Sequence, residues 1–267
     1  MRSASLFAFF CCFFASFHLF AQSPNTVEAD ITSSFKKIAY WNAYRFQSGN
    51  ADSGMRAYDS VGKANKIFRE KLAYYTSKYP FTLNLRFKDL GDSPLTIITS
   101  NDGLFRIYCW DNNLGGTMRY YESVFQYNAG STVGAIVKAD TTEGSGDYNY
   151  DYSNLYTLKA NGRTYYLALY HGKFSTKDLA EGIQVFAIEN GKLNEKVELI
   201  KTVSGLHSKL YYDFNMFSVT GDRKDAHLRY NETLKTISLP VVAEYGKVTH
   251  ARIIYKFNGT YFVRVKN

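Results

Sequence analysis

Three Asn-Gly pairs (Asn161-Gly162, Asn190-Gly191 and Asn258-Gly259) and one Asp-Gly pair, Asp102-Gly103, each stand between apolar, aromatic-rich segments. Both dipeptides accept positive φ at the two central residues of a type I′ turn, whose twist suits adjacent antiparallel strands. Segments 155–160 and 163–170 around the first pair, and 252–257 and 260–265 around the last, read as paired strands. Period-two alternation runs from a first segment at 82–87 through 104–110, 119–127 and 183–188 to a last one at 261–265. A chain punctuated this way is a series of β-hairpins.

Residues before 81 follow a different period. Val61, Ala64, Phe68, Leu72, Tyr75 and Tyr79 recur every three or four positions, which marks a helix from Asp59 that Pro80 closes. A second, less regular helix is expected over 31–46, with a loop over 49–54 between the two. The organisation is therefore a leader over 1–21, a helical segment over 22–80 packed on the β region, and an antiparallel β domain over 81–267. The fold class is mainly β, antiparallel hairpins with N-terminal α-helices. Three stretches, 81–128, 131–194 and 195–267, each hold about four strands, as propeller blades do. A two-sheet sandwich accounts for the same alternation, and both arrangements stay open.

The leader has Arg2, an apolar run over 6–20, and Ala21-Gln22-Ser23 as a place to cut. This is the layout of a secretory signal peptide, and the run is short of the roughly 20 residues that span a bilayer. The expected location is exported, periplasmic or secreted, with no transmembrane segment after cleavage. Cys11 and Cys12 leave with the leader, so Cys109 can form no internal disulfide, and its apolar alternate neighbours make it a small buried hydrophobe. A mature chain of about 245 residues buries enough apolar surface without such staples. The formal charge is +8, but the cations are scattered along the chain, which argues against a nucleic-acid partner. A glycan or a protein surface fits better, and a basic chain is drawn weakly to acidic polysaccharide.

The densest motif is 100–127, SNDGLFRIYCWDNNLGGTMRYYESVFQY. Phe105, Ile107 and Cys109 share an apolar strand face that should be buried. Arg106, Tyr108 and Trp110 share the other, which with Tyr120 nearby is a candidate platform for a flat ligand. The plainer reading is an outer face with arginine lying over aromatics. Asp111, Asn113, Gly116 and Glu122 match positions one, three, six and twelve of an EF-hand calcium loop. Gly115 at position five offers no side-chain oxygen, and a glycine-rich turn explains the segment without calcium. Asp140, Glu143, Asp147 and Asp151 form a second set of hard oxygen donors. The run Asp102-Gly103, Phe105-Arg106-Ile107-Tyr108, Trp110-Asp111 and Gly115-Gly116-Thr117-Met118 is similar to a segment of uncharacterised exported proteins of Bacteroidetes-type bacteria. The early helix and the closing 255–262 hairpin are similar too. The resemblance implies export and a β-rich fold, and it carries no activity, cofactor or catalytic residue.

The mature histidines are His171, His207, His227 and His250, and no H-E-x-x-H, G-x-S-x-G or phosphate loop occurs. His171 ends a strand just before Gly172, where Asp178 or Glu181 is placed to orient it. The plainer reading is a surface histidine. Two functions follow. The first is a non-enzymatic exported binding or structural module for a glycan or envelope protein. The alternative is a secreted hydrolase acting on an envelope or environmental polymer, with His171 and a carboxylate as acid and base.

Overall fold

The computed structural model describes residues 22–47, 49–91, 94–130, 132–139, 150–220, 222 and 226–265. Two helices form an antiparallel hairpin, α1 (Pro24–Gln47) and α2 (Ala51–Lys78). The expected 49–54 loop is shorter, because Asn50 caps α2 by accepting the Asp52 N–H at 2.9 Å and starts the helix at Ala51. Ile31, Phe35 and Ile38 of α1 meet Val61, Phe68 and Leu72 of α2, with the Phe35 and Phe68 rings edge-on at 5.0 Å. At the far end the Tyr79 N–H closes on the Tyr75 carbonyl before Pro80 stops the helix.

The alternation at 82–87 is not a strand. Pro80–Asn84 form a 3-10 turn, and the carbonyls of Thr82, Leu83 and Leu85 accept hydrogen bonds from the buried Arg106 guanidinium instead of a neighbouring strand. Beyond it the chain makes a meander of β1 (Thr96–Thr99), β2 (Phe105–Asp111), β3 (Tyr121–Asn128) and β4 (Val133–Lys138), paired in that order. The next strands are β5 (Asp151–Ala160), β6 (Arg163–Lys173), β7 (Asp178–Glu189) and β8 (Lys192–Asn194). After β9 (Ile200–Thr202) and β10 (Gly205–His207) the chain returns as β11 (Lys209–Asn215), completing a second sheet of order β11-β7-β6-β5 with β8 on β7. The third sheet adds β12 (Arg229–Asn231), β13 (Thr236–Ala243), β14 (Lys247–Phe257) and β15 (Phe262–Arg264), in the order β10-β9-β15-β14-β13-β12. All described pairings are antiparallel except β15 with β9.

The fold is mainly antiparallel β with two N-terminal helices, and its sheets stack face to face. One face of the first sheet, with Tyr108, Trp110 and Val124, packs on the helices. Its other face, with Phe105, Ile107, Cys109 and Phe125, packs on Tyr166, Ala168, Tyr170 and Phe186 of the second. The reverse face of the second sheet, with Leu167, Leu169, Ile183 and Val185, packs on Ile237, Leu239, Tyr255 and Phe262 of the third. The result is four layers, one sheet more than a two-sheet sandwich.

Two of the four Gly turns have positive φ at both central residues: Asn161 and Gly162 at 52° and 72°, Asn190 and Gly191 at 51° and 78°. At Asn258-Gly259 only the glycine is positive, and the Asn258 side chain instead accepts the N–H groups of Thr260 and Tyr261. Among the described residues no helix is long and apolar enough to cross a membrane. The expected leader, over 1–21, lies outside the described residues.

Candidate functional site

The platform face of β2 is covered. Arg106, Tyr108 and Trp110 are all buried beneath the helix layer, so they cannot receive a flat ligand, and the expectation of an open face is corrected. Arg106 does lie over the Tyr108 and Phe87 rings, but its guanidinium donates to the carbonyls of Thr82 and Leu83 in the 3-10 turn and of Leu85 just beyond it. Burial pushes its pKa down. Trp110 donates its indole N–H to Asn65 Oδ1 at 2.9 Å, and Asn65 in turn donates to the carbonyls of Val61 and Asn112. Tyr120 is half-buried at the end of the Asp111–Tyr121 excursion, where a side chain at Gly115 would meet its ring. Cys109 is buried, and burial raises its thiol to about 12.

The calcium reading of the same motif also fails on geometry. Trp110 pairs with Glu122 and Asp111 with Tyr121, so Glu122 and Asp111 project from opposite faces of the sheet. Glu122 reaches the helix layer and pairs with Arg69 at 2.8 Å. Asp111 accepts the Asn113 N–H at 2.9 Å and pairs with Arg119 at 3.1 Å, closing a local turn in which Asn113 has φ 60°. Asp111, Asn113 and Glu122 therefore do not converge. Among the described residues no group of three or more His, Cys, Asp or Glu side chains is placed to hold a metal ion. Asp140, Glu143 and Asp147 lie outside the described residues.

His171 and its partners do converge. The register of the second sheet sets Asp151, His171, Glu181 and Tyr212 opposite one another on β5, β6, β7 and β11. Residues in one row of a sheet share a face and have Cβ atoms about 5 Å apart. A β-bulge between Tyr152 and Asn154 removes Ser153 from the ladder register. It leaves the Ser153 hydroxyl exposed and 2.8 Å from His171 Nε2. On the other side of the ring, His171 Nδ1 stands 3.4 Å from Glu181 Oε1. An ionised carboxylate only accepts, so the proton belongs on Nδ1, and Nε2 is left to accept from the Ser153 hydroxyl. Serine oxygen, imidazole and buried carboxylate are thus connected in the order of a nucleophilic relay.

Glu181 is fixed from every side. His227 Nδ1 approaches the same Oε1, while Oε2 accepts the Leu228 N–H at 2.6 Å and faces the Tyr212 hydroxyl at 3.2 Å. Tyr212 also reaches the Ala226 carbonyl, so the carboxylate joins the second sheet to the 226–228 segment leading into β12. Burial alone would raise the Glu181 pKa. The hydrogen bonds from His171, His227 and the Leu228 N–H outweigh it and hold the group below its ordinary 4.5. Burial alone would lower His171, and the Glu181 hydrogen bond and charge, with the charge of Asp151, hold it above its ordinary 6.5. Asp151 is itself raised, by burial first, against the lowering effect of His171.

Of the residues named from sequence, His171 and Glu181 meet, and Asp178 does not join them: it accepts the Ser175 hydroxyl at 2.7 Å in the β6–β7 turn. Ser153, Tyr212 and His227 had no sequence signal, because each enters through a bulge or through a strand distant in sequence. His207 lies apart and bonds Ser204 Oγ at 2.9 Å in the β9–β10 hairpin. Comparison with protein-family models, with curated proteins and with solved structures finds no match to this chain.

Proposed function

We propose that the protein is an exported hydrolase of ester bonds, with Ser153 as nucleophile, His171 as general base and acid, and Glu181 as the group that orients and charges His171. The observation that carries this reading is the 2.8 Å contact between the exposed Ser153 hydroxyl and His171 Nε2, on a ring whose Nδ1 faces a buried carboxylate. Export rests on the leader over 1–21 and fits a polymer of the envelope or surroundings as the carrier of the ester.

In the reaction the Ser153 oxygen bonds to the ester carbonyl carbon as its proton passes to His171 Nε2. The tetrahedral intermediate then breaks its bond to the alkoxy oxygen, which takes that proton and leaves as the alcohol. Water adds to the acyl-serine, again giving a proton to His171. The acid departs when the Ser153 oxygen recovers it, so every atom and charge is returned. Glu181 stays ionised throughout and stabilises the imidazolium that forms in each half. Because only the neutral ring can take the serine proton, a His171 pKa above 6.5 moves the acid limb of the rate profile to correspondingly higher pH.

Two measurements test the reading. A fluorophosphonate probe should label Ser153 in the folded chain and leave Ser153→Ala unlabelled. Turnover on a panel of short-chain nitrophenyl esters should disappear in Ser153→Ala and fall about 10²- to 10⁴-fold in Glu181→Gln. Full ester turnover by Ser153→Ala, or a folded wild-type chain that neither labels nor hydrolyses, would overturn it.

A further inference from the structure

We infer that His227 is a positioning residue that sets the acid limit of the Ser153–His171 relay, by taking a share of the Glu181 carboxylate from His171. The inference rests on the hydrolase reading and concerns the regulation of that same site.

Two imidazoles meet one carboxylate oxygen. His171 Nδ1, from β6, and His227 Nδ1, from the segment leading into β12, both approach Glu181 Oε1. Their ring centroids are 6.3 Å apart and the rings are nearly perpendicular, at 84°. The shares are unequal. His227 is hydrogen-bonded to Oε1, whereas His171 stands 3.4 Å from it, outside the roughly 2.7–3.2 Å of a well-made N–H···O bond. The other oxygen gives no slack, since it accepts the Leu228 N–H at 2.6 Å and the Tyr212 hydroxyl at 3.2 Å. A carboxylate has about four acceptor sites, and these donors fill them. What His227 takes is therefore lost to His171.

A tie for the 226–228 segment would be the plainer role for the His227 ring. That segment is tied without it: the Leu228 N–H donates to Oε2, the Ala226 carbonyl accepts from Tyr212, and the His227 carbonyl accepts from Arg252 at 2.8 Å. Ala226 and Leu228 are buried, while the His227 side chain is half-exposed. The remaining effect of the ring is electrostatic. Each donor on a carboxylate draws on the negative charge that stabilises a neighbouring cation. For His171 that cation is the imidazolium, which cannot take the serine proton. Burial and Glu181 pull His171 in opposite directions, and the charge of Asp151, its partner on β5, adds to that of Glu181. Beside the pair also stand Tyr212 on β11, which donates to Oε2, and Arg252 on β14, which donates to the His227 carbonyl. Dividing Glu181 keeps the His171 ring neutral to lower pH, so the relay works further into acid.

Proton NMR titration of the histidine rings in the full chain, read beside the pH profile of nitrophenyl ester turnover, tests the inference. The His171 signal is identified by its loss in His171→Gln. His227→Phe keeps a ring without a donor and His227→Ala removes both, so a donor-free variant remains if the larger ring does not fit. In either, His171 should titrate at higher pH than in the wild type, and the acid limb of turnover should move up with it. His227→Asn places an amide N–H where Nδ1 stood and should return His171 to its wild-type titration. A ring that merely held the fold in place would lower stability without moving this titration. An unmoved or lowered His171 in the donor-free variants, or the same rise in His227→Asn, would overturn the inference. The expected NMR shifts in a chain that turns over no ester would support the division of Glu181 and overturn the hydrolase reading alone.

Discussion

Arg106 is the residue whose removal should cost most. Its guanidinium holds three backbone carbonyls of the 80–85 segment at 2.7–3.0 Å, and these have no water to turn to. Arg106→Ala would leave buried acceptors unsatisfied and open a cavity beside Phe87 and Tyr108, a loss of about 3 kcal/mol or more. Chemical denaturation against the wild type checks this; a change below about 1 kcal/mol would mean that the carbonyls find other donors. At the relay, stability and pH are linked with opposite signs for the two partners. His171, raised above 6.5, contributes stability that is complete below that value and is lost as pH rises through its folded pKa. Glu181, lowered below 4.5, contributes stability that is complete above that value and is lost as pH falls through its folded pKa. Their joint contribution is therefore greatest between about 4.5 and 6.5. A melting-temperature profile should lose this hump in Glu181→Gln, and an identical profile in that variant would refute the linkage.

Among the elements, the second sheet works as the frame of the site because its register is held tightly. Tyr170 and Gly182 are cross-strand partners one position from the His171–Glu181 row. The Tyr170 ring lies over Gly182, so that a Cβ there would collide with the ring and with the Leu210 carbonyl. Gly182→Ala should cost about 1–3 kcal/mol by overpacking, and should lower ester turnover through displacement of the neighbouring row. Measured stability and kcat in the same variant test both parts; wild-type values in both would show that β6 and β11 move apart freely. The helix hairpin and the first sheet are joined by a polar seam beneath the apolar contacts. Asn65 binds Trp110, Arg69 pairs with Glu122, and Gln126 donates to the Thr76 carbonyl and Thr82 Oγ1. These bonds fix where the helices sit, since an apolar face alone would accept several positions.

For the whole molecule, cohesion comes from burial across successive layers. Cys109, the free cysteine of the described residues, is buried and takes no part in cross-linking. The helices cover Tyr108, Trp110, Val124 and Phe87. Each large apolar side chain put back into water costs about 1.5–3 kcal/mol, so the helix layer is a structural part of the β stack. A chain beginning at residue 81 should aggregate or remain unfolded, whereas a soluble fragment with native near-ultraviolet circular dichroism would contradict this. The folded protein should also unfold its helices and sheets together, with far- and near-ultraviolet signals following one transition.

How much of this was legible in the chain differs by range. Periodicity and turn residues depend on neighbours a few positions apart, so the two helices, most strands and the Asn161 and Asn190 turns follow from sequence. Pro80 and Asn50 act locally too, yet the loss of the 82–87 strand needed Arg106 from more than twenty positions away to claim its carbonyls. Alternation likewise says which residues share a strand face, and it is silent on what covers that face. The Arg106–Trp110 face reads as a platform until two helices are laid upon it. His171 with Glu181 could be named from sequence because one hairpin joins them. Ser153, Tyr212 and His227 join them only through a bulge, a returning strand and an inter-sheet contact. By itself the sequence determined the elements, whose energetics are local. Stacking order, register across the sheets and the convergence of the relay were decided by tertiary structure, because burial is a property of what packs against a residue and not of the residue's own neighbours along the chain.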